Sequence, residues 1–107
     1  SGASALSAMV SELSRSGQEA LATGNASDAV VIFRRWVYLA AHDPLAHLHL
    51  ALALEAVGDQ PSAHRAFGAA RRALERGESS EIGVGMEGIP LAELHKLLEA
   101  KWQESIR

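Results

Sequence analysis

Five histidines, His42, His47, His49, His64 and His95, are the residues of this 107-residue chain best suited to chemistry. A zinc site on a helix needs two imidazoles on one face, at i and i+3 or i+4. His47 and His49 are two apart, which turns them about 200° from each other around a helix. No H-E-x-x-H occurs, and no cysteine is present to supply a metal ligand, a disulfide or a thiol nucleophile. The histidines therefore point to structural or surface roles, and no metal is expected. His49 and His95 end two near-copies of one hexapeptide, PLAHLH (44–49) and PLAELH (90–95). Equivalent positions of this kind line one groove more readily than they build a metal site, so these two are candidates for partner contacts or pH sensing.

Other catalytic signatures are weaker still. Gly83, Gly85 and Gly88 fit G-x-G-x-x-G, but they follow no convincing strand and belong to no βαβ unit, so a glycine-rich connector is expected there. Neither a nucleophile elbow nor a P-loop occurs. The acids are scattered over caps and helix surfaces. The chain is thus expected to be no enzyme by itself and to hold no cofactor. A net charge of −3 and a pI of about 5.9 disfavour nucleic acid as a partner. Arg65, Arg72 and Arg76 fall at i, i+7 and i+11, a single helical stripe that suits an acidic partner. The plainer alternative is a solvated face partly neutralised by Glu75 and Glu78.

The elements that must position these groups are helices. Alanine, leucine, glutamate and arginine abound, β-branched residues are few, and aromatics make up only 5%. A first helix is expected over about 4–22, with Leu6, Met9, Val10, Leu13, Ala20 and Leu21 as its apolar residues. Gly24-Asn25 ends it, and Asn25 is expected to cap a second helix over 26–41. Ala29, Val30, Phe33, Trp36, Val37 and Ala40 give that helix one broad buried face. Asp43-Pro44 is a start signal for a third helix over 44–57. Its leucines, Leu45, Leu48, Leu50, Leu52 and Leu54, cannot all face one way, so it should be covered on several sides. Gly58-Asp59 opens a fourth helix over 60–76, closed by Gly77. A loop is expected over 77–89, then a fifth helix over 90–104. The longest apolar run, Trp36 to Ala41, is too short to span a bilayer, so no membrane insertion is expected. With no cysteine and no visible signal peptide, the expected location is cytoplasmic.

One regularity organises all of this. Gly24, Ala29 and Phe33 recur as Gly58, Ala63 and Phe67, each 34 residues on. The segments GNASDAVVIF and GDQPSAHRAF resemble the tetratricopeptide hairpin turn. The pattern places a small residue at Gly17, where the partner helix crosses closely. The resemblance implies an all-α fold: two tetratricopeptide helical hairpins plus a C-terminal capping helix, in a right-handed superhelical array. The whole of 4–107 forms one domain, with repeat 1 over about 10–43, repeat 2 over about 44–76, and the fifth helix as the first arm of a displaced third repeat. Trp36 departs from the pattern, which usually has alanine there, as Ala70 does in the second copy.

A narrower resemblance covers about residues 36–98. Tyr38-Leu39, Pro44, Ala46-His47, Leu50-Ala51, Gly58-Asp59, Arg72-Ala73-Leu74, Glu87-Gly88-Ile89 and Leu94 are similar to the tetratricopeptide tail of certain chemotaxis receptor methyltransferases. That resemblance implies a protein-protein interaction module that regulates or localises a chemoreceptor methyltransferase in chemotaxis-like signalling. The S-adenosylmethionine-binding catalytic domain would lie outside this chain, and the Ser1-Gly2-Ala3 start has the look of an expression remnant. The partner would be a protein or peptide, either a chemoreceptor segment or the attached catalytic domain. A freestanding adaptor of a secretion, pilus or other assembly system is the alternative. In either case first arms line the groove of such an array, which nominates Gln18, Leu21, Leu45, Leu48, His49, Leu52, Glu55 and His95 as the partner groove. The lysine and asparagine that would clamp a terminal carboxylate are missing at Ser14, Gln18, Leu48 and Leu52, so an apolar groove is expected, suited to an amphipathic helix or to the protein's own neighbouring segment.

Overall fold

A computed structural model describes residues 2–77 and 90–106. These form five α-helices and, among the described residues, no strand: α1 (Gly2–Ala22), α2 (Ala26–Leu39), α3 (Pro44–Ala56), α4 (Gln60–Arg76) and α5 (Leu91–Ile106). The loop expected over 77–89, with its three spaced glycines, lies outside the described residues apart from Gly77. Each helix packs against its neighbours in sequence order, α1 on α2, α2 on α3, α3 on α4 and α4 on α5, and α1 also meets α3.

Glycine sets the two tight turns. Gly24 and Gly58 have φ of +84° and +85°, a left-handed conformation that costs other residues a Cβ clash. Around them the same backbone bonds recur. Asn25 N donates to Ala20 O at 2.8 Å and Gly24 N to Leu21 O at 3.2 Å; Asp59 N donates to Leu54 O at 3.0 Å and Gly58 N to Glu55 O at 3.0 Å. This paired bonding satisfies the last carbonyls of α1 and α3 and fixes the reversal of the chain. The 34-residue offset of the sequence is therefore also an offset of turn geometry.

The starts of the following helices differ. Asp59 accepts from Ser62 N at 3.1 Å and caps α4. Asn25 occupies the equivalent position but makes no side-chain cap bond to α2; its Nδ2 donates instead to Thr23 Oγ1 at 3.2 Å. The cap expected from Asn25 is not formed. Between the hairpins, α2 ends at Leu39, two residues before the expected point. Asp43 is held extended (φ −86°, ψ 113°), as a residue preceding proline prefers, and accepts from Leu45 N at 2.9 Å. Pro44 opens α3 where its missing N–H is no loss. Pro90, by contrast, stands just outside α5, its carbonyl accepting from Leu94 N at 3.0 Å.

The core runs through both hairpins. Phe33 and Phe67 are fully buried at equivalent positions, as are Ala29 and Ala63. Phe33 lies directly over Gly17: a Cβ there would fall 2.7 Å from Phe33 Cδ1 and Cζ, inside van der Waals contact. Only glycine lets α1 and α2 approach this closely. α3 buries Leu45, Leu48, Leu50 and Leu54, which point in several directions, because α2 and α4 flank it and α1 touches it. Leu94 and Leu98 of α5 complete the same cluster from beyond α4.

Candidate functional site

The site follows from what α1 leaves uncovered. One side of α1 carries Val10, Ser11, Ser14, Arg15 and Gln18. With Trp36 and Asp43, these line an open groove of about 430 Å³. Its α1 wall is polar. Gln18 Nε2 donates to Ser14 Oγ at 2.9 Å, one turn back. Arg15 is held by Glu12 at 2.6 Å and Glu19 at 3.6 Å. Opposite stands the Trp36 indole, 3% exposed, whose Nε1–H is buried without a hydrogen-bond partner among the described residues. An unmatched buried donor costs about 1–3 kcal/mol.

Of the residues nominated from the sequence, Gln18 lines this groove and is exposed. Leu21 and Leu52 are half-buried and packed on the core. Leu45 and Leu48 are 1% and 4% exposed, so their side chains serve the core and not the surface. His49 turns toward the first hairpin, its ring 5.4 Å from Phe33 and 5.1 Å from Trp36 between centroids. Its Nδ1–H donates to Leu45 O at 2.7 Å, since a carbonyl can only accept, and this fixes the tautomer of the neutral ring. Glu55 is tied to α5, with Lys101 Nζ 3.2 Å from its Oε1. His95 is half-buried on α5. The eight residues thus divide between a groove edge, the core and the contacts to α5.

The arginines of α4 also separate. Arg65 is exposed and donates to Ser62 Oγ at 2.9 Å, while Arg72 and Arg76 are exposed on the same helix. Arg71, outside the stripe, is the one that α5 engages: it donates to Glu99 and lies 4.2 Å from the Trp102 ring centroid. His64 stacks on the same ring at 5.3 Å. Ser105 Oγ donates to Trp102 O at 2.7 Å, which spends its only proton, so His64 Nδ1–H donates to Ser105 Oγ at 2.6 Å. Gly68 lies between His64 and Arg71 along α4, and a Cβ there would stand 3.3 Å from Trp102 Nε1. Trp102 therefore sits over a glycine, between a histidine and an arginine. Sequence periodicity missed this cluster because it joins two helices far apart along the chain. A lone tryptophan late in a helix whose other large apolar residues are leucines and one isoleucine was its visible signal.

Three carboxyls are held below their usual range, all by hydrogen bonds: Glu12 by Arg15, Asp59 by Ser62, and Glu99 by Gln103 and then Arg71. These are cap and surface effects, and none of the three belongs to a concave catalytic cluster. Among the described residues no group of three His, Asp or Glu is placed to hold a metal ion, and no helix is long and apolar enough to cross a membrane. Comparison with known protein families, curated proteins and solved structures finds no match. What the geometry defines, over the described residues, is a set of packed helices with an open groove along α1 in which polar α1 side chains face the Trp36 indole.

Proposed function

We propose that this chain is a tetratricopeptide-type interaction module, two hairpins in a right-handed array closed by α5, that carries no chemistry of its own. The observation that supports this reading most directly is the coincidence of two repeats at one offset: the residues Gly24/Gly58, Ala29/Ala63 and Phe33/Phe67, and the turn bonds around them. Arrays of this kind work by presenting a rigid surface to a protein or peptide. The groove along Ser14 and Gln18 is the docking site in this reading.

The residues from Tyr38-Leu39 to Leu94 that resemble the tail of chemotaxis receptor methyltransferases narrow the proposal. The module then regulates or localises such an enzyme in the cytoplasm, by docking a chemoreceptor segment or the attached catalytic domain. The test mixes the labelled chain with chemoreceptor cytoplasmic segments and, separately, with a chemoreceptor methyltransferase catalytic domain. Binding that weakens about tenfold in a Gln18→Arg variant supports the reading. No binding to either at about 100 µM sinks the chemotaxis assignment.

A further inference from the structure

On the other side of the α1–α2 contact lies a second groove, more apolar than the first. It measures about 550 Å³ and is walled by Met9, Leu13, Tyr38 and Leu39, with Glu12 and Arg35 also lining it. Seven large apolar residues of the described chain are substantially exposed; Met9 and Tyr38 line this groove, and Leu6 and Val31 lie on the same two helices, three residues before Met9 and seven before Tyr38. Tyr38 is 86% exposed, which leaves nearly the whole ring in water. The repeat does not demand this. At the positions 34 residues on from Val31 and Tyr38 the second hairpin carries Arg65 and Arg72. The apolar face is therefore particular to the first hairpin, and apolar surface gathered in one groove marks a docking site.

Charge selects the partner. Glu12 is already engaged, with Arg15 Nη2 2.6 Å from Oε2 and Arg15 Nε donating to Oε1 at 3.2 Å. Arg35 has no ion-pair partner among the described residues. The uncompensated charge of the groove is thus positive. Leu6, Met9 and Leu13, at i, i+3 and i+7, form a stripe roughly 10 Å long, two turns of helix. An apposed helix reads such a stripe with anchors at the same spacing.

We propose that this groove docks an amphipathic helix of a partner protein, its apolar residues seated between Met9 and Tyr38 and its acidic flank against Arg35. This surface is separate from the groove along Ser14 and Gln18, so either assignment can fail without the other.

The probe is a fluorescein-labelled helical peptide with a leucine face flanked by glutamates, titrated with the intact chain and followed by anisotropy. Two counterparts carry lysine for glutamate, or serine for leucine. The glutamate peptide should bind, and each counterpart should bind about tenfold more weakly or worse. Met9→Ser and Tyr38→Ser, both at exposed positions, should weaken binding about tenfold while the helical circular dichroism signal is kept. Arg35→Glu should reverse the preference, favouring the lysine peptide. Equal binding of the two charged peptides, or binding unmoved by Met9→Ser and Tyr38→Ser, overturns the proposal. So does self-association of the chain that Tyr38→Ser abolishes and the glutamate peptide does not compete, because the occupant would then be a second copy.

Discussion

The two hairpins share one backbone plan and differ in almost every side chain that faces outward. Ser11, Ser14, Arg15 and Gln18 of α1 stand 34 residues before Leu45, Leu48, His49 and Leu52 of α3. The first set lines an open groove; the second is buried or half-buried against neighbouring helices. On α2 and α4 the contrast is inverted, with exposed Val31 and Tyr38 where the second hairpin has exposed Arg65 and Arg72. Shared residues such as Gly24/Gly58 and Phe33/Phe67 fix the turn and the contact within a hairpin. Unshared residues record what lies beyond it. A helix between two others must be apolar on several sides, whereas an end helix keeps water on one.

The strongest way to break this comparison is to remove the shared core. Phe33→Ala and Phe67→Ala should each cost about 3–5 kcal/mol in urea unfolding, since both rings are fully buried. If the hairpins fold as one unit, both variants keep the wild-type denaturant slope. A fall in that slope for Phe33→Ala alone would show the first hairpin unfolding independently.

A sharper test uses the helix crossing. Gly17→Ala places a methyl group inside the Phe33 ring and should cost about 1–3 kcal/mol despite the better helix propensity of alanine. The second hairpin already carries Ala51 at the equivalent position, fully buried. Ala51→Gly should therefore destabilise by about 1 kcal/mol through propensity and lost contact, so the same pair of residues is unfavourable in both directions.

Trp36 and Ala70 form the next pair. Trp36→Phe deletes a buried donor that has no partner among the described residues, which offsets the lost apolar surface. The net change in thermal or urea stability should be under about 1 kcal/mol, far below a usual large-to-small core change. A loss of several kcal/mol would mean that the indole N–H is matched after all.

The smallest effects lie at the turns. Asp59 caps α4, and Asn25 makes no cap to α2. Asp59→Ala should lower the melting temperature, and Asn25→Ala should leave it nearly unchanged. The pH dependence follows the same asymmetry. Asp59 is held low by its bonds from Ser62, as are Glu12 by Arg15 and Glu99 by Gln103 and Arg71. A depressed folded value means that the stabilisation is fully present above the ordinary carboxylate range. It is lost as pH falls through the folded values, below about pH 4. Asp59→Asn should flatten that acid limb in a melting-temperature profile, while Asn25→Ala should leave it intact.

Much of the helix framework was legible in the residues. Glycine at two left-handed turns, proline at the start of α3 and apolar faces at helical spacing are local signals, and the helices follow them to within about two residues. The site was less so. Leu45 and Leu48 share a helical periodicity with groove positions, but periodicity says only which residues lie on one face and not what covers it. Asn25 looks as good a cap as Asp59, yet its side chain makes no bond to α2 and its Nδ2 turns to Thr23. Trp102, His64 and Arg71 lie far apart in sequence, and no local pattern joins them.

The sequence by itself determined the helices, their turns and the 34-residue repeat, because these depend on backbone preferences and on neighbours within a few residues. Only the tertiary structure decided which faces are spent in the core, which acids are engaged, and that α1 is flanked by two grooves, one edged by Ser14 and Gln18 and one walled by Met9 and Tyr38. Those outcomes depend on desolvation and contact between helices, and a side chain acquires them only when a second element arrives.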